Sequence, residues 1–238
     1  MAEIRIGTSG YQYKHWKGDF YPDDLPISGW FDHYVKFFDT VEINNTFYRM
    51  ADADTFDQWR KAAPKDFLYA IKYSRFGTHL KKLKEPEGHV NYFLDRVLHL
   101  KEALGPVLVQ LPPKWKPDLE RLDAFLTEAP RELRWAIEVR EKQWLGDDLY
   151  ALLQRHQAAL VVHDMIPNHA MELTTTWTYF RFHGQNYSGD YSDKQLEEIA
   201  ANIREIHEKG CDVYVYFNND LGGYAPRNAL SLKEKLGH

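Results

Sequence analysis

Short apolar runs alternate along the chain with segments whose apolar residues recur at helical spacing, the pattern of strands followed by amphipathic helices. The runs Ile4 to Gly7, Thr40 to Ile43, Leu68 to Lys72, Val107 to Leu111, Trp135 to Val139, Ala159 to His163, Thr178 to Phe182 and Asp212 to Phe217 read as strands. Between them, Trp30, Tyr34, Phe37 and Phe38 mark one helix, and Phe56 and Trp59 a second, capped by Asp54 and closed by Pro64. Val90, Phe93, Leu94, Val97 and Leu104 predict a long helix ending at Gly105-Pro106. Leu119 to Leu126 and Leu149 to Leu153 predict two more, and Ser192 with Gln195 forms a capping-box pattern before Leu196, Ile199, Ile203 and Ile206. A last helix follows NNDLGGYAPRNA. About eight such strand-helix units without a linker predict one α/β domain over residues 1–238, a single TIM-type (β/α)8 barrel, with a doubly wound sheet as the alternative.

The strands carry an anomaly at their ends. Thr40 to Ile43 contains Glu42 and runs at once into Asn44, Asn45, Thr46, Tyr48 and Arg49. A carboxylate inside a buried strand needs partners or a task, because an unpaired buried charge is costly. Residues two apart share a strand face, which groups Glu42 with Asn44, Ala70 with Lys72, Glu138 with Arg140, Arg181 with His183, and Tyr216 with Asn218 and Asp220. In a barrel the C-terminal strand ends carry the site. If these faces point inward, one mouth gathers Ser9, Glu42, Asn44, Lys72, Gln110, Glu138, Arg140, Asp164 or His163, Arg181, His183 and Asn218. A closed network of Lys72, Arg140 and Arg181 neutralising Glu42, Glu138 and Asp164 is the structural alternative. Apolar layers fill such a space at least as well, which favours a use for the charges.

Composition narrows the class. The 238 residues are 44% hydrophobic, enough for a large core, and the net charge of -5 with a pI near 6.1 argues against a global nucleic-acid footprint. Cys211 is the only cysteine, so neither an internal disulfide nor a cysteine metal cage is available. The N-terminus shows no targeting pattern, no apolar stretch is long enough for a membrane span, and a soluble cytoplasmic protein is expected.

Several chemistries fit these residues. Glu42 and Glu138, on different strands, suit an acid and base pair of the kind that hydrolyses glycosides. Tyr11, Trp16, Tyr48, Trp144, Tyr187 and Tyr224 fall on loops where rings can stack on sugars, although each alone is more often packing. Lys72, Arg140 and Arg181 suit phosphate or carboxylate at least as well, and Ser9 with Thr8, Gly7 and Gly10 adds donors. There is no P-loop or GxGxxG pattern, and no cofactor is assigned. His163, Asp164, His183 and Glu138 have ligand chemistry without HxH or HExxH spacing, so no metal is assigned. From Arg75 to Lys84, Phe76, His79, Lys81, Lys82 and Lys84 read as a solvated helix start or as a basic flap that closes on an anion or a nucleic-acid backbone.

GTSGY with HWKGDFYP, TVEINNTFYR, KYSRFGTHLKKLK, LGPVLVQLPP, WAIEVR, RFHG and YVYFNND followed by ALSLKEKL resemble the YecE-like family, domain of unknown function seventy-two, through nearly the whole chain. The resemblance implies a TIM barrel and a site made of Glu42, Asn44, Lys72, Glu138, Arg140, Arg181, His183, Asn218 and Asp220. The family is uncharacterised, and its similarity in shape to barrel-type apurinic endonucleases is one of fold. The expected function is a hydrolase-like enzyme acting on a small anionic, phosphate- or sugar-containing substrate. Glu42, Glu138 and His183 are its candidate catalytic residues, and Ser9, Asn44, Lys72, Gln110, Arg140, Asp164, Arg181, Asn218 and Asp220 its candidate binding residues. The competing expectation is a nucleic-acid-binding protein or nuclease, and a non-catalytic ligand sensor is a third class.

Overall fold

A computed structural model describes residues 2–184 and 189–237; Tyr187, one of the candidate stacking rings, lies outside the described residues. The strands are β1 (Ile4–Thr8), β2 (Thr40–Ile43), β3 (Leu68–Lys72), β4 (Leu104–Gln110), β5 (Trp135–Glu138), β6 (Ala159–His163), β7 (Trp177–Phe182) and β8 (Asp212–Phe217). The helices are α1 (Trp30–Tyr34), α2 (Asn45–Tyr48), α3 (Ala53–Ala62), α4 (Pro86–Val97), α5 (Leu119–Glu128), α6 (Asp147–His156), α7 (Asp193–Glu208) and α8 (Tyr224–Leu236). The strands follow the order β1-β8-β7-β6-β5-β4-β3-β2, and a parallel bridge between Ser9 and Glu42 brings β1 back to β2. The fold is the expected (β/α)8 barrel.

The chain divides into two compact units: the first comprises Met1–Glu42, His163–Met165 and Tyr179–His238, the second Ile43–Val162 and Ile166–Thr178. In the first, β1 pairs with β8 in parallel register from Ile4 opposite Val213 to Thr8 opposite Phe217. Its core is aromatic, with Tyr21 and Trp30 stacked 4.8 Å apart and Tyr34 fully buried. Tyr34 is fixed by polar contacts as well, since its hydroxyl donates to the Thr40 carbonyl at 3.0 Å and receives the Thr8 N–H at 3.0 Å. Ser192 and Gln195 complete the expected capping box on α7.

In the second unit, β3, β4, β5 and β6 are parallel neighbours, and Gln110 stands opposite Glu138. The β3–β4 register shifts between Tyr69 and Ile71, opposite the stretch that holds Pro106, which has no N–H for the ladder. Gly105-Pro106 therefore lies inside β4 and is no helix terminus. The helix expected to reach Leu104 stops at Val97, and a 3-10 segment over Leu98–Ala103, with Lys101 at φ +49°, carries the chain into the strand. The cap of α3 is Asp52 instead of Asp54: its carboxylate receives the Thr55 N–H at 2.9 Å. Strand β5 ends at Glu138, one residue earlier than expected, and β1 and β7 each gain a residue over the predicted run.

Candidate functional site

Every candidate residue lies at or just past the C-terminal end of a strand. Ser9 follows β1, Glu42 is in β2 and Asn44 follows it, and Lys72, Gln110 and Glu138 close β3, β4 and β5. Arg140 lies two residues beyond β5, Asp164 follows β6, Arg181 is in β7 and His183 just past it, and Asn218 and Asp220 follow β8. They fall into two groups, one in each unit.

The first unit holds Ser9, Glu42, Asp164, Arg181, His183, Asn218 and Asp220. Glu42 and Arg181 are both fully buried and face each other as a two-point pair, Nε to Oε2 at 2.9 Å and Nη2 to Oε1 at 2.8 Å. Tyr179 donates its hydroxyl to Oε2 at 2.7 Å. Burial first, and the Glu42 charge second, hold the Tyr179 phenol well above its usual range, so it remains a donor. Three donors favour the carboxylate form of Glu42, which suits it to fix Arg181 in place better than to deliver a proton.

Nη1 of Arg181 reaches toward Nε2 of His183 at 3.4 Å. The other ring nitrogen, Nδ1, meets Asp164 Oδ1 at 3.0 Å. This pairing assigns the Nδ1–H tautomer, with the Nε2 lone pair turned toward Arg181. Asp164 is held in turn by the backbone N–H groups of His183 and Gly184, at 3.0 and 3.1 Å, and by the Tyr191 hydroxyl. Burial works to raise its pKa, but these donors hold it below the ordinary aspartate value.

Around this core, Tyr13 donates to the Ser9 carbonyl at 2.7 Å, and burial, Asp220 and Glu42 raise its pKa. The Asp220 carbonyl is held by Trp16 Nε1 at 3.0 Å and His15 Nε2 at 2.7 Å. Trp16, a candidate stacking ring, is thereby a core residue with no exposed surface. The Ser9 hydroxyl is buried and has no hydrogen-bond partner among the described residues.

The second unit holds Asn44, Lys72, Gln110, Glu138 and Arg140. Lys72 Nζ donates to Gln110 Oε1 at 2.7 Å and lies 4.4 Å from the centre of the Phe47 ring. His79 packs edge-on against the same ring, 5.0 Å between centres. Arg140 Nη1 donates to Glu138 Oε1 at 2.8 Å; Glu138 is fully buried, and the Arg140 side chain is 16% exposed. The Asn44 Oδ1 has no hydrogen-bond partner among the described residues.

Positive charge is concentrated around His79. Burial, and then the charges of Lys72, Arg75 and Arg140, push its pKa down to about 4. At neutral pH it is an uncharged imidazole among three cations. The remaining candidate rings divide: Trp144 is buried with Nε1 donating to the Trp115 carbonyl at 2.8 Å, whereas Tyr48 is 79% exposed.

Three residues that matter to this geometry were not singled out by sequence. Tyr179 was within reach of the alternation rule, since it shares a strand face with Arg181 and His183. Tyr191, reaching Asp164 from beyond a loop, has no local signal. Phe47 reads as packing. His79 was named as part of the basic flap, but the effect of Lys72 and Arg140 on it has no local signal. Among the described residues no cluster of His, Cys, Asp and Glu is arranged to hold a metal ion, and no helix is long and apolar enough to cross a membrane.

Comparison with known proteins agrees with this architecture. A family model described as protein of unknown function DUF72 matches residues 5–238. UPF0759 protein YunF of Bacillus subtilis (strain 168) is 24% identical over 266 residues, covering 89% of this chain and 94% of the relative. UPF0759 protein YecE of Escherichia coli (strain K12) is 29% identical over 145 residues, 58% of this chain and 53% of the relative. The chain thus spans about half the length of that relative. The crystal structure of a DUF72 family protein from Thermotoga maritima superposes with a TM-score of 0.87 at 29% identity, covering 99% of this chain and 100% of the other. A DUF72 family protein from Enterococcus faecalis, at 22% identity, a TM-score of 0.82 and coverage of 99% and 96%, shares the fold.

Proposed function

The chain belongs to DUF72, a family of proteins of unknown function, and from that premise we propose that it is a hydrolase-like enzyme acting on a small anionic, phosphate- or sugar-containing substrate. The observation that carries the reading is a pair of oriented cations on neighbouring strand ends, Lys72 on Gln110 at 2.7 Å and Arg140 on Glu138 at 2.8 Å with Gln110 opposite Glu138; their charges and that of Arg75 act on His79. Glu138 already offsets Arg140, and an anionic ligand is a second negative charge that this set of cations favours. Arg140 is oriented by the buried Glu138 and Lys72 by Gln110, so both charged heads are held before a ligand arrives.

The first unit holds a candidate proton-transfer group of its own, His183. A carboxylate on Nδ1 fixes the tautomer and presents the Nε2 lone pair, which Arg181 Nη1 approaches at 3.4 Å. Asp164 positions His183, and Glu42 positions Arg181. Glu138 keeps its place in the proposal as the partner of Arg140. The reading assumes the cytoplasmic location expected from the sequence.

Nucleic-acid binding by the basic flap has less support. Lys81 is engaged by Glu85 at 3.1 Å, and Glu87 stands exposed close by.

The test is a hydrolysis screen over phosphorylated sugars, phosphodiesters and glycosides, run with the wild-type chain and Lys72→Met. The reading predicts turnover of at least one anionic member, with the affinity lost in Lys72→Met. Tight binding of a panel member that emerges chemically unchanged after long incubation assigns the chain to ligand sensing instead.

A further inference from the structure

The second unit also contains an open groove of about 960 Å³ that none of the residues assigned to catalysis or anion binding lines, although the candidate ring Tyr48 does. Its volume is in the range of sites for small organic molecules. One wall is Phe47, the ring that Lys72 covers at 4.4 Å and His79 abuts at 5.0 Å. Thr46, also in the lining, donates its hydroxyl to the Lys72 carbonyl at 2.8 Å. The groove and the cation cluster are therefore neighbours that share a wall.

The lining has two chemical components. Tyr48, Phe76 and Tyr92 present rings that are 79%, 50% and 51% exposed, far more than packing requires. Glu87 and Glu128 add exposed carboxylates, and the one lysine, Lys81, is tied to Glu85 at 3.1 Å. Carboxylates repel an anionic group and accept hydrogen bonds from hydroxyls, while aromatic faces take the C–H face of a saturated ring. An anion is thus steered away from the groove and toward Lys72, and a hydroxylated ring is welcome in it.

The groove lining includes an exposed glycine that the backbone does not require. Gly88 lies in the first turn of α4 without the left-handed φ that calls for glycine, and a Cβ placed there meets nothing within 4 Å. Glycine is disfavoured in a helix relative to alanine. The position, in the groove lining, has room for a larger side chain.

We infer that the groove is the sugar-ring subsite of the proposed enzyme, which makes the substrate a phosphorylated sugar: the phosphate lies against Lys72 and Arg140, and the ring on Tyr48, Phe76 and Tyr92, with its hydroxyls on Glu87 and Glu128. This rests on the anion-binding reading given above and adds the identity of the uncharged part of the substrate.

Calorimetric titration separates the two. Inorganic phosphate, a panel of hexose and pentose phosphates, and the corresponding free sugars are titrated into the full chain, into Gly88→Leu and into Lys72→Met. The inference predicts that the best sugar phosphate binds at least about tenfold more tightly than inorganic phosphate. Gly88→Leu, which fills open space, abolishes that advantage while leaving phosphate binding unchanged and the thermal midpoint unchanged or higher. Lys72→Met weakens both. If phosphate binds but no panel member exceeds it, or if Gly88→Leu leaves the advantage intact, the subsite is wrong and the anion-binding reading stands. If neither phosphate nor any sugar phosphate binds, both are wrong.

Discussion

Arg181 grips Glu42 with two parallel hydrogen bonds, Nε to Oε2 at 2.9 Å and Nη2 to Oε1 at 2.8 Å, where neither side chain meets solvent. Both charges are paired, and Tyr179 adds a third donor to the carboxylate. The pair anchors the ends of β2 and β7 and leaves Nη1 of Arg181 directed at His183.

Breaking that pair from one side leaves a buried guanidinium without its counter-charge. Glu42→Gln is expected to cost about 3 to 5 kcal/mol of unfolding free energy. Replacing both partners, Glu42→Gln with Arg181→Met, is expected to cost less than the two single changes added together. Urea denaturation of the three variants measures this, and equal additivity would mean that the two residues do not act as a pair.

Asp164 gathers donors from two backbone N–H groups, an imidazole and a phenol. An amide in its place turns an NH2 toward some of those donors. Asp164→Asn is expected to destabilise by about 2 kcal/mol and to scramble the His183 tautomer. Because the carboxyl pKa is depressed in the folded chain, its contribution is fully present above the ordinary aspartate value and is lost as pH falls through the lower folded one. An acid titration of stability that is the same for wild type and Asp164→Asn would remove this group from the account.

The Ser9 hydroxyl is buried and has no partner among the described residues, so it contributes nothing to folding that a methyl group lacks. Ser9→Ala is expected to leave stability unchanged or to raise it by up to about 1 kcal/mol. A loss of more than about 1 kcal/mol on thermal unfolding would show that the hydroxyl is structurally engaged.

Much of this was legible before the fold was known, for physical reasons that differ by residue. The barrel is written in the strand-helix rhythm, and the site in the polar residues that close each strand, because a charge at the end of an apolar run is expensive enough to stand out. Which charge meets which was not legible. Glu42 and Glu138 look equivalent along the chain, yet the first is bound by Arg181 and Tyr179 and the second by Arg140. Helix ends were the weaker part: Asp52 and Asp54 have the same capping chemistry, and only the chain direction at Asp52 puts its carboxylate over Thr55. The end of α4 was misread because Gly105-Pro106 has the composition of a terminator and serves as a strand irregularity. The groove beside Phe47 was not legible as a whole: Tyr48 and Phe76 were singled out separately, and they meet Gly88 and Tyr92 only in space.

The depressed pKa of His79 sets a further expectation. An unfolded chain's histidine takes up a proton near the ordinary value of 6.5, and His79 in the folded chain only near 4. Between those values the native state binds fewer protons, so the stability contributed by this group is present above 6.5 and falls away as pH drops toward 4. Lys72→Met removes one of the cations responsible and is expected to raise the His79 midpoint. A midpoint that is unmoved in the variant would separate Lys72 from the cluster.

The most direct test of the central claim, that an anion belongs among Lys72, Arg75 and Arg140, is an NMR titration of the His79 ring proton against pH, with and without inorganic phosphate. Bound phosphate offsets the cations that suppress protonation. The account predicts a midpoint near 4 without phosphate, a saturable rise as phosphate is added, and loss of that rise in Lys72→Met. A His79 midpoint that stays where it was at high phosphate would contradict the claim.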